Sequence, residues 1–160
     1  MTIIWKGYGD ILQDNTTQVC PINAAGAMGA GLAKTMRDAY PDVWEAYRAI
    51  YTPGISPYPD INERARVLTP VLTRDGKKVL LFCTKFHWRN PSSLDLIRDN
   101  LLTLEQRWTE WSIRGVAMPL LGTGYGGLSR DRVMALIESI LGPSRLPVKL
   151  YLGHPNDIGN

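Results

Sequence analysis

Short apolar runs alternate with amphipathic stretches along the whole chain, a pattern typical of a layered α/β domain and not of separate helical and sheet regions. Two β-rich runs come first, at residues 2–7 ("TIIWKG") and 17–22 ("TQVCPI"). Between residues 31 and 50 the apolar positions recur at helical spacing, and Pro41 divides this stretch into two predicted helices. The polar segment 10–16 is predicted to be a turn that joins the first two strands.

The second half of the chain continues the alternation of strands and helices. The proline-rich segment 52–60 is predicted to be a loop, and residues 66–84 a β-hairpin, because two apolar runs flank Asp75-Gly76. Further helices and strands are predicted at residues 92–107, 115–120, 128–141 and 148–153. The pattern predicts an α/β fold, with residues 1–160 forming a single domain.

Composition narrows the class of protein. A chain of 160 residues with 44% hydrophobic and 21% charged residues is expected to fold as one compact domain. No apolar run approaches the roughly 20 residues that span a bilayer, and no signal peptide is recognisable, so no membrane association and a cytoplasmic location are expected. Cys20 and Cys83 lie in apolar runs and are predicted to be reduced core thiols. No histidine and carboxylate cluster predicts a metal site, and no cofactor is expected.

Two glycine-rich segments carry the first functional signal. Residues 23–31 ("NAAGAMGAG") and 119–128 ("PLLGTGYGGL") each follow a predicted strand and precede a predicted helix. This arrangement presents backbone N–H groups and a positive helix end to phosphate, and two such loops suit a diphosphate. Neither loop matches the Walker pattern or the complete dinucleotide fingerprint. On the loops alone, glycines that serve only tight turns and close packing are an equal alternative.

Three motifs in order resemble the macrodomain family, whose members bind ADP-ribose: "GDIL" (9–12), "CPINAAGAMGAGLA" (20–33) and "MPLLGTGYGGL" (118–128). A fourth, "FCTKFHWRNPSSL" (82–94), resembles the Thr-Lys-x-His-Trp-Arg-x-x-Ser signature of the DarG-like branch, which removes ADP-ribose from DNA bases. The resemblance implies a three-layer α/β/α macrodomain with a mixed central sheet, and an ADP-ribose cleft at the carboxyl edge of its strands.

The resemblance also implies how the ligand is bound. Asp10 would accept a hydrogen bond from the adenine amine while the Ile11 N–H donates to the ring, and Asn23 would bind the distal ribose. Tyr125 would cover the ribose or a phosphate. The remaining ligand-binding positions share a backbone that closes over the diphosphate, and they are Gly29, Ala30, Gly31, Leu32, Gly122, Thr123, Gly124 and Gly126.

Lys85 is the residue that the resemblance implies for the chemistry. A neutral lysine is a base or a nucleophile, so Lys85 either attacks the anomeric carbon or removes a proton, with Asn23 orienting the ribose. His87 is expected on the same strand face, where it relays a proton or orients a phosphate. The structural alternatives are a strand-end lysine lying along the surface and a histidine satisfied by the backbone. Trp88 is predicted to be a core residue; the alternative is that it stacks on a base or sugar, in a small basic and aromatic patch with Lys85 and Arg89 that fits a DNA strand.

One departure from related hydrolases concerns Gly126, which stands where they carry an aspartate, so the resolving group is unassigned. The predicted function is an ADP-ribosyl hydrolase, an enzyme acting on modified DNA bases in an antitoxin-like or phage counter-defence role. Its expected partners are ADP-ribose and ADP-ribosylated single-stranded DNA, and the chain is expected to act alone as a monomer. The alternatives are an ADP-ribose 1″-phosphate phosphatase, a protein or O-acetyl-ADP-ribose hydrolase, and a non-catalytic reader of ADP-ribose.

Overall fold

The computed structural model describes residues 4–153 as strands and helices in alternation. The strands are β1 (Trp5–Tyr8), β2 (Thr17–Asn23), β3 (Thr69–Leu72), β4 (Lys78–Lys85), β5 (Val116–Pro119) and β6 (Val148–Gly153). The α-helices are α1 (Gly31–Ala39), α2 (Pro41–Tyr51), α3 (Ile61–Arg64), α4 (Leu94–Arg107) and α5 (Arg130–Leu141). A single 3-10 turn, Ile11–Gln13, follows β1.

The six strands form one mixed sheet in the order β1-β6-β5-β2-β4-β3. Every neighbouring pair is parallel except β3 and β4, which form the predicted antiparallel hairpin about Asp75-Gly76. Gly76 takes a φ of +86°, which a residue without Cβ adopts at little cost. Because β2, β4, β5 and β6 are parallel, their carboxyl ends meet at one edge of the sheet.

Successive side chains of β4 alternate between two helical layers. Leu80 and Phe82 pack into the core formed with α4 and α5, whereas Leu81 and Cys83 pack into the core formed with α1 and α2. This alternation follows from the two-residue period of a strand. The structure therefore has the expected three-layer α/β/α architecture with a mixed sheet, and Cys20 and Cys83 are both free and buried.

Three of the helices begin where the local sequence predicts. Pro41 occupies the first turn of α2, where its missing N–H is not required. The Ser93 and Ser129 side chains cap α4 and α5 by accepting hydrogen bonds from Leu96 and Arg132 N–H. Within residues 4–153, no helix has the length and apolar character needed to cross a membrane.

Three local elements differ from the sequence-based prediction. β1 begins at Trp5, and residues 2 and 3 of the predicted first strand lie outside the described residues. The polar segment predicted as a turn contains the 3-10 turn Ile11–Gln13. The short helix α3 was not predicted, since four residues are too few to show a helical period; Asp60 caps it by accepting from Asn62 N–H at 2.8 Å.

The buried carboxylate of Asp14 connects the segment between β1 and β2 to strand β6. Asp14, whose side chain is 1% exposed, accepts hydrogen bonds from Thr16 and from the Tyr151 hydroxyl (2.7 Å), and it pairs with Lys149 at 3.3 Å. Burial by itself raises the pKa of Asp14, but these hydrogen bonds lower it by more, so the net pKa lies below the ordinary value of 3.8. The ionised form is the one that holds Tyr151 in β6.

We expect Asp14→Asn to lower the free energy of unfolding at pH 7 by about 1–3 kcal/mol, since hydrogen bonds to a charged acceptor are lost. The depressed pKa means that this stabilisation is complete well above pH 3.8 and disappears as the pH falls through the lower folded-state value. Urea denaturation of both proteins at pH 7, 5, 4 and 3 measures the difference. Asp38→Asn, which removes an exposed partner of Lys34, is the control. A difference that stays constant down to pH 3 would contradict the assignment.

Candidate functional site

A cleft of about 740 Å³ opens at the edge of the sheet where the parallel strands end. Its walls come from the ends of β2, β4, β5 and β6 and from the loops that follow β2 and β5. Ligand sites in open α/β sheets lie in this position, and the volume falls in the range usual for small-molecule sites. The cleft is therefore the candidate functional site.

Most of the residues selected from the sequence meet in this cleft. Asn23, Lys85, residues 29–32 of the first glycine loop and residues 122–126 of the second all line it. The two loops face each other closely: a Cβ built on Gly31 would lie 3.6 Å from the Tyr125 ring. The structure thus brings two sequence-distant loops and the proposed chemical groups to one site.

Asp10 and Ile11 lie beside the cleft and do not line it. The Asp10 carboxylate accepts a hydrogen bond from Leu12 N–H at 3.0 Å, and Ile11 is 7% exposed in the core. The preceding Gly9 donates its N–H to the Gly153 carbonyl at 3.0 Å, and Gly153 does line the cleft. Asp10 and Ile11 are therefore at the β6 end of the cleft, and their contacts with adenine stay a prediction.

Lys85 and Asn23 are partners across the β2–β4 ladder. Ile22 pairs with Cys83, and the register then shifts by one residue so that Asn23 pairs with Lys85. Without the shift, Thr84 would pair with Asn23. Because side chains alternate along a strand, Lys85 would then project from the opposite face of the sheet to Asn23. The irregularity at the end of the ladder makes Asn23 and Lys85 partners in register, and both residues line the cleft.

The Asn23 carboxamide is fixed by three neighbours. Its Nδ2 donates to the Ala27 carbonyl at 2.7 Å, and its Oδ1 accepts from Ala25 N–H at 3.0 Å and lies 2.9 Å from the Tyr47 hydroxyl. Burial raises the pKa of Tyr47, so its hydroxyl keeps its proton. These contacts leave one Nδ2 hydrogen of Asn23 without an assigned acceptor, and Asn23 lines the cleft.

The expectation for His87 is wrong in its geometry. β4 ends at Lys85, so His87 lies in the following bend and is not presented on the strand face of Lys85. Its Nδ1 accepts a hydrogen bond from Arg89 N–H at 3.1 Å, and the residue does not line the cleft. The Phe86 carbonyl accepts a hydrogen bond from Ala24 N–H at 3.0 Å, and the His87 carbonyl accepts one from Asn90 N–H in the turn that follows. His87 is therefore a turn-stabilising residue in this structure, and its proton-relay role has no geometric support.

The prediction that Trp88 is a core residue is also wrong. Trp88 is 47% exposed and lines the cleft, and the Arg89 guanidinium carbon lies 4.5 Å from its ring centroid. Strand-end tryptophans usually pack inward, but β4 has already ended three residues earlier and the side chain extends from a turn. The position of the turn, which the sequence period does not reveal, decides the outcome.

The first glycine loop leads directly into a helix start that has no side-chain cap. Ala30 is the N-cap of α1 and cannot accept a hydrogen bond through its side chain. The first helical residues, Gly31, Leu32 and Ala33, all line the cleft. Their N–H groups have no acceptor within the helix, so the positive end of α1 faces the cleft and suits an anion.

The second glycine loop packs against Ser92, which sequence reasoning did not select. Ser92 N–H donates to the Gly126 carbonyl at 3.0 Å, and Ser92 is 6% exposed. A Cβ on Gly126 would collide with Ser92 Oγ and lie 2.5 Å from the Gly122 carbonyl oxygen. A side chain at position 126 would therefore require Ser92 and the Gly122 backbone to shift.

Other cleft residues were also missed by the sequence analysis. Thr84, Trp88 and Ser92 lie in the motif at residues 82–94, so a signal existed for them. Arg130 and Tyr151 also line the cleft, although only the strand order brings them there. Within the described residues, no group of three or more histidine, cysteine, aspartate or glutamate side chains is placed to hold a metal ion.

The buried Arg64 side chain stabilises the first glycine loop through a hydrogen bond to its backbone. Its Nε donates to the Ala24 carbonyl at 2.8 Å, and its Nη1 donates to the Tyr58 and Pro59 carbonyls. Arg64 is 3% exposed and lies in the short helix that was not predicted. It connects the backbone immediately after Asn23 to the proline-rich loop.

The arrangement of strands, loops and cleft is that of a known family, and comparison of the sequence confirms it. Residues 19–137 match the model of the Macro domain. The chain belongs to the macro domain family.

Individual relatives point to one branch of this family. The chain is 34% identical over 133 residues to a DNA ADP-ribosyl glycohydrolase of Mycobacterium tuberculosis, covering 82% of this chain and 36% of the relative. It is 30% identical to the macrodomain of Mycobacterium tuberculosis DarG, covering 94% of this chain and 98% of that structure with a TM-score of 0.78. It is 26% identical to Thermosipho africanus DarTG in complex with ADP-ribose, covering 90% of this chain and 40% of that structure with a TM-score of 0.77. The chain thus spans a little over a third of the length of that curated relative.

We expect Gly126→Ala to destabilise the protein by about 1–3 kcal/mol, because the added methyl group overpacks the contact with Ser92. Gly124→Ala in the same loop is the matched control, since a Cβ there meets nothing within 4 Å. Thermal unfolding of the three proteins measures the effect. Equal melting temperatures for the two variants would contradict the close packing of Ser92 beneath the loop.

Proposed function

We propose that this chain is an ADP-ribosyl hydrolase that binds ADP-ribose and removes it from modified DNA bases. The observation that carries the proposal is the pairing of Lys85 with Asn23 at the base of a cleft walled by two glycine loops. The relatives support it, since one is named a DNA ADP-ribosyl glycohydrolase and another was solved in complex with ADP-ribose.

The cleft suits ADP-ribose in an extended orientation. Its β6 end, near Gly153 and Asp10, takes the adenosine, and its β4 end takes the distal ribose beside Lys85 and Asn23. The diphosphate lies between the second glycine loop and the uncapped start of α1, where backbone N–H groups and the helix end favour negative charge. The glycines at 122 and 126 let the backbone approach without obstruction.

Asn23 and Lys85 have different roles at the distal ribose: Asn23 orients the sugar, and Lys85 carries out the chemical step. The remaining Nδ2 hydrogen of Asn23 donates to a ribose hydroxyl and sets the orientation of the sugar. Lys85 either attacks the anomeric carbon, giving an intermediate that water resolves, or takes a proton from the ribose or from water. In both routes the bond between the anomeric carbon and the base nitrogen breaks, a water oxygen ends bonded to the anomeric carbon, and a proton is transferred to the nitrogen of the released base.

We expect Lys85→Ala to lose at least about a hundredfold in kcat on a single-stranded oligonucleotide that carries ADP-ribosylated thymidine, since general-base or nucleophilic catalysis is removed. ADP-ribose binding, measured by calorimetry, is expected to change much less. Lys78→Ala, at the exposed opposite end of β4, is the matched control and is expected to retain the activity of the wild type. Borohydride trapping of a protein-linked sugar in the wild type distinguishes attack by Lys85 from proton transfer.

One result would overturn the proposal, and a second would change only its mechanism. If the wild type binds ADP-ribose but leaves both thymidine-linked and guanosine-linked oligonucleotides intact, the chain is a reader or acts on another linkage. Release of inorganic phosphate from ADP-ribose 1″-phosphate, or turnover of ADP-ribosylated protein or O-acetyl-ADP-ribose, would identify which. Full activity of Lys85→Ala would remove Lys85 from the mechanism while leaving the hydrolase function in place.

A further inference from the structure

Three tryptophans of the described residues have an arginine guanidinium over the ring: Trp44, which does not line the cleft, and Trp111 and Trp88, whose surroundings differ. Arg107 lies 4.7 Å from the Trp111 ring centroid and also pairs with Glu110 at 2.9 Å. Arg89 lies 4.5 Å from the Trp88 ring centroid, and within residues 4–153 it forms no ion pair. The charge of the second pair is therefore not neutralised by a neighbouring carboxylate.

The pair Trp88–Arg89 is displayed at the corner of a tight turn. Asn90 N–H donates to the His87 carbonyl at 3.0 Å and closes the turn, and Arg89 N–H donates to His87 Nδ1 at 3.1 Å. The His87 ring lies 5.0 Å from the Trp88 ring, centroid to centroid. The local structure thus leaves a half-exposed aromatic ring and an exposed arginine side chain beside the cleft instead of burying them.

The turn that carries Trp88 lies at the end of the cleft where, under the proposed function, the bond between the distal ribose and the modified base is cleaved. Trp88 lines the cleft three residues after Lys85, at the end that takes the distal ribose under the proposed function. The modified base is attached to that ribose and continues into the rest of the DNA strand. The strand must therefore leave the cleft past the Lys85 end, where Trp88 is a large exposed aromatic side chain.

We propose that Trp88 and Arg89 bind the nucleotide that adjoins the modified nucleotide in single-stranded DNA, an inference that rests on the proposed function. Trp88 stacks on the neighbouring base, and Arg89 moves from the ring to pair with a backbone phosphate. Stacking requires a base that has lost its own neighbours, so the site selects single strands over duplex. The substrate class is accordingly an ADP-ribosylated strand of at least two nucleotides, in preference to an isolated modified nucleotide.

The test compares kcat/KM on two substrates that share the linkage: a short single-stranded oligonucleotide with one ADP-ribosylated thymidine, and ADP-ribosylated thymidine monophosphate. We expect Trp88→Ala to lower the ratio of oligonucleotide to mononucleotide at least about fivefold, in line with the loss of one stacking contact. Arg89→Gln is expected to make the logarithmic salt dependence for the oligonucleotide less steep by about 0.7, the value for one phosphate contact on a single strand.

Matched controls separate this site from general effects. Trp5→Ala removes a tryptophan that is 48% exposed on β1, and Arg107→Gln removes the guanidinium that is paired with Glu110. Both are expected to keep the wild-type ratio and the wild-type salt slope. A Trp88→Ala variant that loses equally on both substrates, or an Arg89→Gln variant with an unchanged slope, would overturn the proposal.

A binding measurement keeps the inference distinct from the proposed function. Fluorescence anisotropy with an unmodified, labelled single-stranded oligonucleotide reports strand binding without turnover. If the wild type hydrolyses neither substrate, the proposed function fails, and weaker strand binding by Trp88→Ala and Arg89→Gln than by the two controls would still support the site. Equal strand binding by all of these variants would overturn it.

Discussion

The end of the β2–β4 ladder is the constraint on which the site depends. In two paired parallel strands, neighbouring side chains project from the same face of the sheet only if their positions in the register agree. The one-residue shift after Ile22 brings Asn23 opposite Lys85, and both then project where the chain leaves the sheet. Tyr47 and the loop carbonyl of Ala27 fix the carboxamide from the side of α2. The chemistry proposed for Lys85 therefore depends on the backbone register of β2 and β4, which makes Lys85 the partner of Asn23.

Close packing behind the second glycine loop leaves no room for a side chain at position 126. Ser92 lies directly beneath Gly126 and donates its N–H to the Gly126 carbonyl, so the space that an aspartate requires is filled. The loop consequently contributes backbone groups to the cleft at this position and no carboxylate. Arg64 has a comparable role beneath the first loop, where it holds the Ala24 carbonyl. Both loops are supported by residues that contribute little to the surface, which gives short, glycine-rich segments a defined position without bulky side chains.

The turn after β4 shows how one local boundary changes the roles of neighbouring residues. Continuation of the strand by three residues would have placed His87 on the face of Lys85 and turned Trp88 toward the opposite layer. Because β4 ends at Lys85, His87 instead accepts a hydrogen bond from Arg89 N–H, and Trp88 is exposed at the cleft. The contrast with Trp111 and Arg107 has the same origin: similar residue pairs acquire different environments from the elements around them. Strand ends are set by competition between ladder and turn hydrogen bonds, which sequence periodicity does not resolve.

The sequence by itself determined the alternation of helices and strands, the hairpin about Asp75-Gly76, the two glycine loops and the family resemblance, because these depend on local turn chemistry and hydrophobic period. It also supplied the residues of the two loops and the Lys85 and Asn23 pair. Only the tertiary structure decided that Arg130 and Tyr151 reach the same cleft, that Ser92 excludes a side chain at Gly126, and that Trp88 is exposed. These outcomes depend on strand order, register and contacts between residues far apart in the chain, and no local pattern encodes them.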